Sequence, residues 1–274
     1  MQPDVNAVLE FLHSLYNEHL SYSSINTARS AISACLMGGV LLNSQFTVSS
    51  HPLIIGFMKG IFNLRKPQPK YVETWDVDIV LQYLELCVPL EKLSLKELTL
   101  KLTILLALTS GQRCQTLVLL DTDHMKKTDK QFTFVLTDHV KQNRPGNVMS
   151  AFCARKFTDE KLCVYSVLEA YLERTKDLRK GSQLLVSYAK PYKPVGNSTV
   201  GRWIKMVLDQ CGIDTKKFSA HSTRAASTGK AIHSINIDVL LKHVGWTSKS
   251  TFAKFYKKPI VTSKEMSFAE AVLK

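Results

Sequence analysis

The sequence predicts a mainly α-helical protein with a small β-sheet, built in two lobes. Three observations carry this. Apolar residues recur at three- and four-residue intervals along most of the chain, the spacing that places them on one face of a helix. Between Gln131 and Phe157 the period drops to two, with Phe132, Phe134 and Leu136 alternating as in a half-buried strand. The stretch Arg65 to Trp75, RKPQPKYVETW, then breaks the helical period with two prolines among basic residues, and proline disfavours helix at itself and at the residue before it. The expected lobes are a helical one over residues 1–70 and a mixed α/β one over 71–274.

In the first lobe Val8, Leu9, Phe11, Leu12, Leu15 and Tyr16 mark one helix, and Ile32, Cys35 and Leu36 a second, with Ser23 or Ser24 as its expected N-cap and Gly38-Gly39 as its stop. Ser49-Ser50 and His51-Pro52 open a further helix over Leu53 to Leu64. Past the linker, Asp76 to Cys87 and Ser94 to Leu108 read as helices, the second opened by Ser94-x-x-Glu97, a capping-box pattern, and closed by Thr109-Ser110-Gly111. Arg113 follows at the turn into a short apolar run. The period-two region gives a hairpin whose polar connection, HVKQNRPGNV, contains Lys141 and the turn pair Pro145-Gly146. Helix returns over Leu162 to Leu178, a short strand is expected at Gln183 to Val186, and Asn197-Ser198 caps a helix running to Cys211 and ended by Gly212. Glu265 to Leu273 is a short amphipathic piece, too short to be helical without something to pack on.

Thirty-six Lys and Arg against 23 Asp and Glu leave a net charge of +13 and a pI near 9.4, spread along the chain instead of gathered in one tail. That distribution points to a polyanion, with nucleic acid as the default partner. The six cysteines form no CxxC pair and no Cys/His cluster at ligand spacing, so neither a zinc site nor a disulfide framework is expected, and the compartment reads as reducing. Met1 is followed by QPDVNAV, without the basic and long apolar regions of a secretory leader, and the apolar run Leu102 to Leu108 is too short to span a bilayer. No membrane partner, cofactor or metal is expected. No compact basic run separates nucleus from cytoplasm.

Chemistry concentrates between Ser219 and Pro259, where His221, Arg224, Trp246 and Tyr256 stand among lysines at 254, 257 and 258. These are residue types that grip and attack a phosphate. Taken singly each has a plainer reading: Arg113 as a cap or salt-bridge partner, Lys141 as a solvated charge, Trp246 as core, Tyr256 as the edge of an aromatic cluster with Phe252 and Phe255.

Taken together, Arg113 in TSGQR, the HxxR of His221-Ser-Thr-Arg224, Gly245-Trp246 and Tyr256 resemble the tyrosine recombinase, or phage integrase, family. The wording AHSTRAAST…GWTSKSTFAKFYKKP resembles the recombinases of DIRS-like and Ngaro-type retroelements and Cryptons. The resemblance implies a helical core-binding (SAM-like) DNA-clamping domain over 1–70 and a catalytic domain over 71–274. It also implies that Arg113 and Arg224 hold the nonbridging oxygens of a pentavalent phosphorus, a geometry that guanidinium matches with paired donors. Trp246 supplies a further N–H, His221 acts as proton acceptor or oxygen ligand, and Lys141 protonates the leaving 5′-oxygen. Tyr256 attacks to give a 3′-phosphotyrosyl link, with no metal required. Lys126 and Lys127 are alternatives to Lys141, and His243 is a weaker alternative donor. Tyr256 stands 32 positions after Arg224, as the family's arrangement requires, whereas Trp246, 22 after it, is one short of the expected place. The family's acidic residue three after the first arginine is here Thr116.

The implied protein cuts and rejoins double-stranded DNA for mobile-element integration or excision, as a homodimer or tetramer whose C-terminal segment packs in trans or in cis. It would be nuclear if it comes from a eukaryotic mobile element. Two other readings use the same residues: a domesticated DNA-binding protein that has lost the reaction, and type IB topoisomerase-like strand cleavage.

Overall fold

The computed structural model describes residues 3–36, 40–68, 71–138 and 151–246, together with Lys249, Phe252, Lys258 and Ile260. The chain divides into two compact units, Met1–Lys70 and Tyr71–Lys274. The described residues are mostly helical, with one three-stranded antiparallel sheet in the order β1-β2-β3.

The first unit holds α1 (Val5–Asn17), α2 (Tyr22–Cys35) and α3 (Pro52–Leu64) around Val8, Leu12, Ile25, Ile54, Met58 and Ile61. Local capping sets each start. Asp4 accepts from the Ala7 amide, and His51 Nδ1 accepts from Leu53 with Pro52 in the first turn, where a missing N–H costs nothing. The second cap corrects the expectation: Ser21, not Ser23 or Ser24, is the N-cap, its hydroxyl accepting from the Ser24 amide. An Asn/Ser/Thr-rich start offers several hydroxyls, and the one in extended backbone wins. The Arg65 guanidinium donates to the Leu20 carbonyl at 2.7 Å and lies over the Tyr16 ring at 4.2 Å, so it ties α3 to the end of α1.

The second unit is organised around α5 (Leu95–Ser110), which is buried along nearly its whole length and packs against α7 (Val164–Thr175), α8 (Asn197–Gln210) and α9 (Ser222–Ala231). Each leucine so buried contributes about 1.5–3 kcal/mol. The Ser94–Glu97 capping box forms with both reciprocal bonds, and it holds the Glu97 carboxyl below its usual range. Before α5 come α4 (Val77–Leu86) and a 3-10 turn, Leu90–Lys92; after it come α6 (Cys114–Val118), β1 (Met125–Lys127), β2 (Gln131–Val135) and β3 (Ala151–Arg155), and the described helices end with α10 (Ile237–Val244).

Lys101 lies inside this core with its ammonium on the Leu84 and Cys87 carbonyls at 3.0 and 2.8 Å, where a cation offsets the exposed carbonyls at the end of α4. Close by, the Cys211 thiol is pushed up to about 11 by burial, with the Cys87 thiol adding to it. All six cysteines are free.

Two elements differ from expectation. Strand β1 pairs with β2 through Met125↔Phe134 to Lys127↔Phe132, though three residues are too few to show a period. At Gln183 to Val186 there is no ladder, only isolated bridges from Gln183 to Asp121 and from Val186 to Pro194. Leu184, Leu185 and Val186 are buried, and the segment pairs only briefly on each side, with the Leu184 amide on the Leu120 carbonyl at 2.7 Å and the Val195 amide on the Leu185 carbonyl at 3.2 Å. The Gly38-Gly39 stop and the Glu265 to Leu273 piece lie outside the described residues.

Candidate active site

Arg113 owes its position to the end of α5. That helix stops at Gly111, whose backbone is left-handed (φ +59°) and whose N–H closes on the Ala107 carbonyl at 3.0 Å. A Cβ there would stand 3.0 Å from Val244 Cγ1, so the left-handed backbone favours glycine and the tight space adds to the preference. Two residues later Arg113, half-buried and extended, is the N-cap of α6 and accepts the Thr116 amide on its carbonyl at 2.9 Å. Thr116 itself is buried with a side-chain oxygen that makes no hydrogen bond.

His221 and Arg224 occupy one turn at the start of α9, His221 exposed at the N-cap and Arg224 pointing inward. His221 sits on the rim of an open cleft of about 660 Å³ whose α8 wall carries Arg202, Lys205 and Asp209. Arg224 has 0% of its surface exposed. Its guanidinium donates to the Gly111 carbonyl at 2.7 Å and to the Val244 carbonyl at 2.7 Å, and it lies 4.6 Å from the centre of the Trp246 ring. Burying a cation is costly unless donors are matched, and here carbonyl dipoles and the negative face of an indole supply the match.

Trp246 is delivered by the end of α10. Gly245 turns left-handed at φ 70°, and the Trp246 amide returns to the Leu241 carbonyl at 2.8 Å. The indole, 9% exposed, also packs against Phe252 at 5.7 Å between ring centres. His243 lies exposed on the same last turn, and its carbonyl accepts from the buried Gln112 side chain at 3.2 Å. Arg224 and Gln112 thus join three chain segments: the turn carrying Arg113, the helix carrying His221, and the helix end carrying His243 and Trp246.

The lysines separate. Lys127 donates to Glu169 at 2.6 Å, which holds its ammonium above the usual lysine range and makes it a poorer proton donor. Lys126, its neighbour on β1, is exposed and pairs in register with Thr133. Lys141 falls in the connection between β2 and β3, and both it and Tyr256 lie outside the described residues. Tyr188, another tyrosine of this unit, packs on Trp203 at 5.4 Å between ring centres. Among the described residues no three His, Cys, Asp or Glu are grouped to hold a metal ion, and no helix is long and apolar enough to cross a membrane.

Gln112, Tyr71 and Trp75 were not singled out in the sequence. Trp75 Nε1 donates to Ser222 Oγ at 2.9 Å, and the Tyr71 hydroxyl meets Ser219 Oγ at 2.6 Å, so both grip the start of α9. Two aromatic residues four apart inside an otherwise polar, proline-containing linker are the signal that was available.

The phage integrase family model matches residues 81–260. Among solved structures, XerH site-specific recombinase bound to palindromic difH substrate in a post-cleavage complex aligns with a TM-score of 0.61 at 14% identity, over 93% of this chain and 69% of that one. The Tn1549 transposon integrase (residues 82–397) in complex with circular intermediate DNA aligns at 0.56 and 12% identity, over 98% and 84%. A lambda integrase (75–356) dimer bound to a COC′ core site aligns at 0.52 and 14% identity, over 97% and 83%. No curated protein matches the chain. At such identities the structures speak for the fold, and it is the family match, spanning well over half the chain and all the described site residues, that assigns it. The chain belongs to the phage integrase family, the tyrosine recombinases.

Proposed function

We propose that this protein is a site-specific DNA recombinase that cuts and rejoins strands through a 3′-phosphotyrosyl intermediate. The observation that supports it is the junction at Arg224, where backbone carbonyls from the Arg113 turn and the end of α10 meet one guanidinium under the Trp246 ring. A frame of this kind fixes cationic and N–H donors in advance, which is how charge developing on a phosphoryl group is stabilised without reorganisation. In this reading Arg113 and Arg224 are the cations that hold the nonbridging oxygens, Arg224 from a buried position that DNA binding must open, with Trp246 as a further N–H donor and His221 as proton acceptor or oxygen ligand. Tyr256 is the nucleophile. The first unit, residues 1–70, is a DNA-clamping domain and the second, 71–274, the catalytic one. The protein works as two to four copies on DNA, since exchange between two duplexes takes four cuts, with the C-terminal segment packing on a neighbour. The wording around HxxR and GW supports a mobile-element source of the DIRS, Ngaro or Crypton kind, and with it a nuclear site of action.

The test is a duplex bearing a nick beside candidate element termini, which traps the intermediate once the short strand diffuses away. A covalent protein–DNA adduct is expected. DNA binding without any adduct would instead identify a binding protein that has kept only the fold. Affinity in the same preparation is expected to fall steeply with salt, by about 10³–10⁵ between 50 and 200 mM if six to ten phosphates are contacted.

The proton donor to the leaving 5′-oxygen is proposed to be Lys141. Lys141→Ala is then expected to slow cleavage by about 10²–10⁴, and a substrate with sulfur at the bridging 5′ position, which leaves without needing a proton, is expected to restore it. Lys127→Ala, whose ammonium is already engaged by Glu169, is expected to cleave both substrates like wild type. The opposite pattern would move the role to Lys127.

A further inference from the structure

The first five residues of the second unit, Tyr71 to Trp75, read as the end of a linker, yet alternate positions in them grip the segment that carries His221. The Tyr71 hydroxyl accepts the Ser219 amide at 3.2 Å as well as meeting its hydroxyl, and the Tyr71 ring packs on Phe218 at 5.7 Å between centres. Glu73 pairs with Lys217. Trp75 donates to Ser222 Oγ, which in turn donates to the Ser219 carbonyl at 2.7 Å. Between them Thr74, buried, forms a parallel bridge to Ile260, four positions after Tyr256 in the chain.

One short segment therefore reaches both sides of His221 and, through Thr74, Ile260. Ser219 and Ser222, which flank His221 at the start of α9, are held from outside the helix. Reaction geometry is sensitive to displacements of about 1 Å, which cost on the order of 10²-fold in rate. We propose that Tyr71 and Trp75 are positioning residues for strand cleavage, acting through Ser219 and Ser222 on the placement of His221. The inference rests on the recombinase reading above. Neither aromatic residue needs to touch DNA for this.

The experiment compares wild type with Tyr71→Phe, which keeps the ring on Phe218 and removes the hydroxyl that meets Ser219, and with Ser219→Ala, which removes the hydroxyl contact from the other side. Amide hydrogen exchange over residues 219–224 is expected to quicken about tenfold in both, because a local opening becomes easier while the core is untouched. The single-turnover rate of adduct formation is expected to fall about tenfold, with DNA affinity within twofold of wild type. In a His221→Ala background the further loss from Tyr71→Phe is expected to vanish, since residues acting through one another are not additive. Unchanged exchange overturns the inference, and so do additive losses, which would mark a merely structural contact. A wild-type protein that forms no adduct overturns the recombinase reading instead, and the exchange comparison on that same protein still decides whether the segment fixes the start of α9.

Discussion

Tyr256→Phe is expected to abolish the covalent adduct, a loss on the order of 10⁴–10⁶ in rate, while DNA binding stays at the wild-type level. Phenylalanine keeps the ring and removes only the oxygen that would attack phosphorus. Mass spectrometry of nuclease-trimmed adducts is expected to place the nucleotide on the peptide containing Tyr256. An adduct that survives the change and maps to Tyr188 or Tyr192 would reassign the nucleophile. The sequence order argues against that outcome, because neither tyrosine follows HxxR and GW, and Tyr188 is committed to Trp203.

Arg224→Ala is expected to remove cleavage and also to lower stability, by about 3 kcal/mol. The substitution strips the hydrogen-bond donor from two buried carbonyls, those of Gly111 and Val244, and removes the cation beneath Trp246. For a unit of this size that corresponds to a fall in Tm of roughly 6–12 °C. Arg224→Lys separates the two effects. An ammonium keeps the charge and can satisfy one carbonyl, but it lacks the planar fork that spans both, so part of the stability is expected to return while cleavage stays down by about 10²–10³. Calorimetry and adduct rates, measured well below the lower Tm, read the two quantities apart. Wild-type cleavage by Arg224→Lys would show that the fork is not needed. The structure thus changes what a simple alanine test of this arginine can mean, because its failure to cleave would report folding as much as chemistry.

What could be read in the sequence was whatever is encoded within a few residues. Ser94 and Glu97 announce their capping box, Gly111 its helix end, and Phe132, Phe134 and Leu136 their sheet face, since each signal is local. The second cap, expected at Ser23 or Ser24, falls at Ser21 because backbone conformation, not residue type, selects among nearby hydroxyls. Leu184 to Val186 looked like a strand because burial and pairing leave the same apolar imprint, and Pro194 opposite Val186 offers no N–H to continue a ladder. At the site the residue types were legible in the motif order, but not their partners. The bond from Arg224 to Gly111 spans 113 positions and that from Trp75 to Ser222 spans 147, and no local pattern reports contacts at such range.

The raised thiol of Cys211 sets a limit on the conditions under which the protein can work. A phenol nucleophile gains from rising pH, because its ordinary pKa is about 10. Burial, however, lifts Cys211 from 9.0 to about 11, and it also raises Cys87 and Cys114. Above pH 9 the unfolded chain gives up these protons while the folded chain retains them, so each step further into alkali favours unfolding until the folded thiols ionise in turn. Lys101, whose ammonium burial disfavours, works the other way, since its penalty fades as the proton leaves. Cys163, which burial would raise but hydrogen bonds hold low, opposes the three thiols as Lys101 does, whereas Tyr83 and Tyr171, raised by burial, act with them. The alkaline side of a cleavage profile is therefore expected to carry an unfolding limb superimposed on the chemistry of Tyr256.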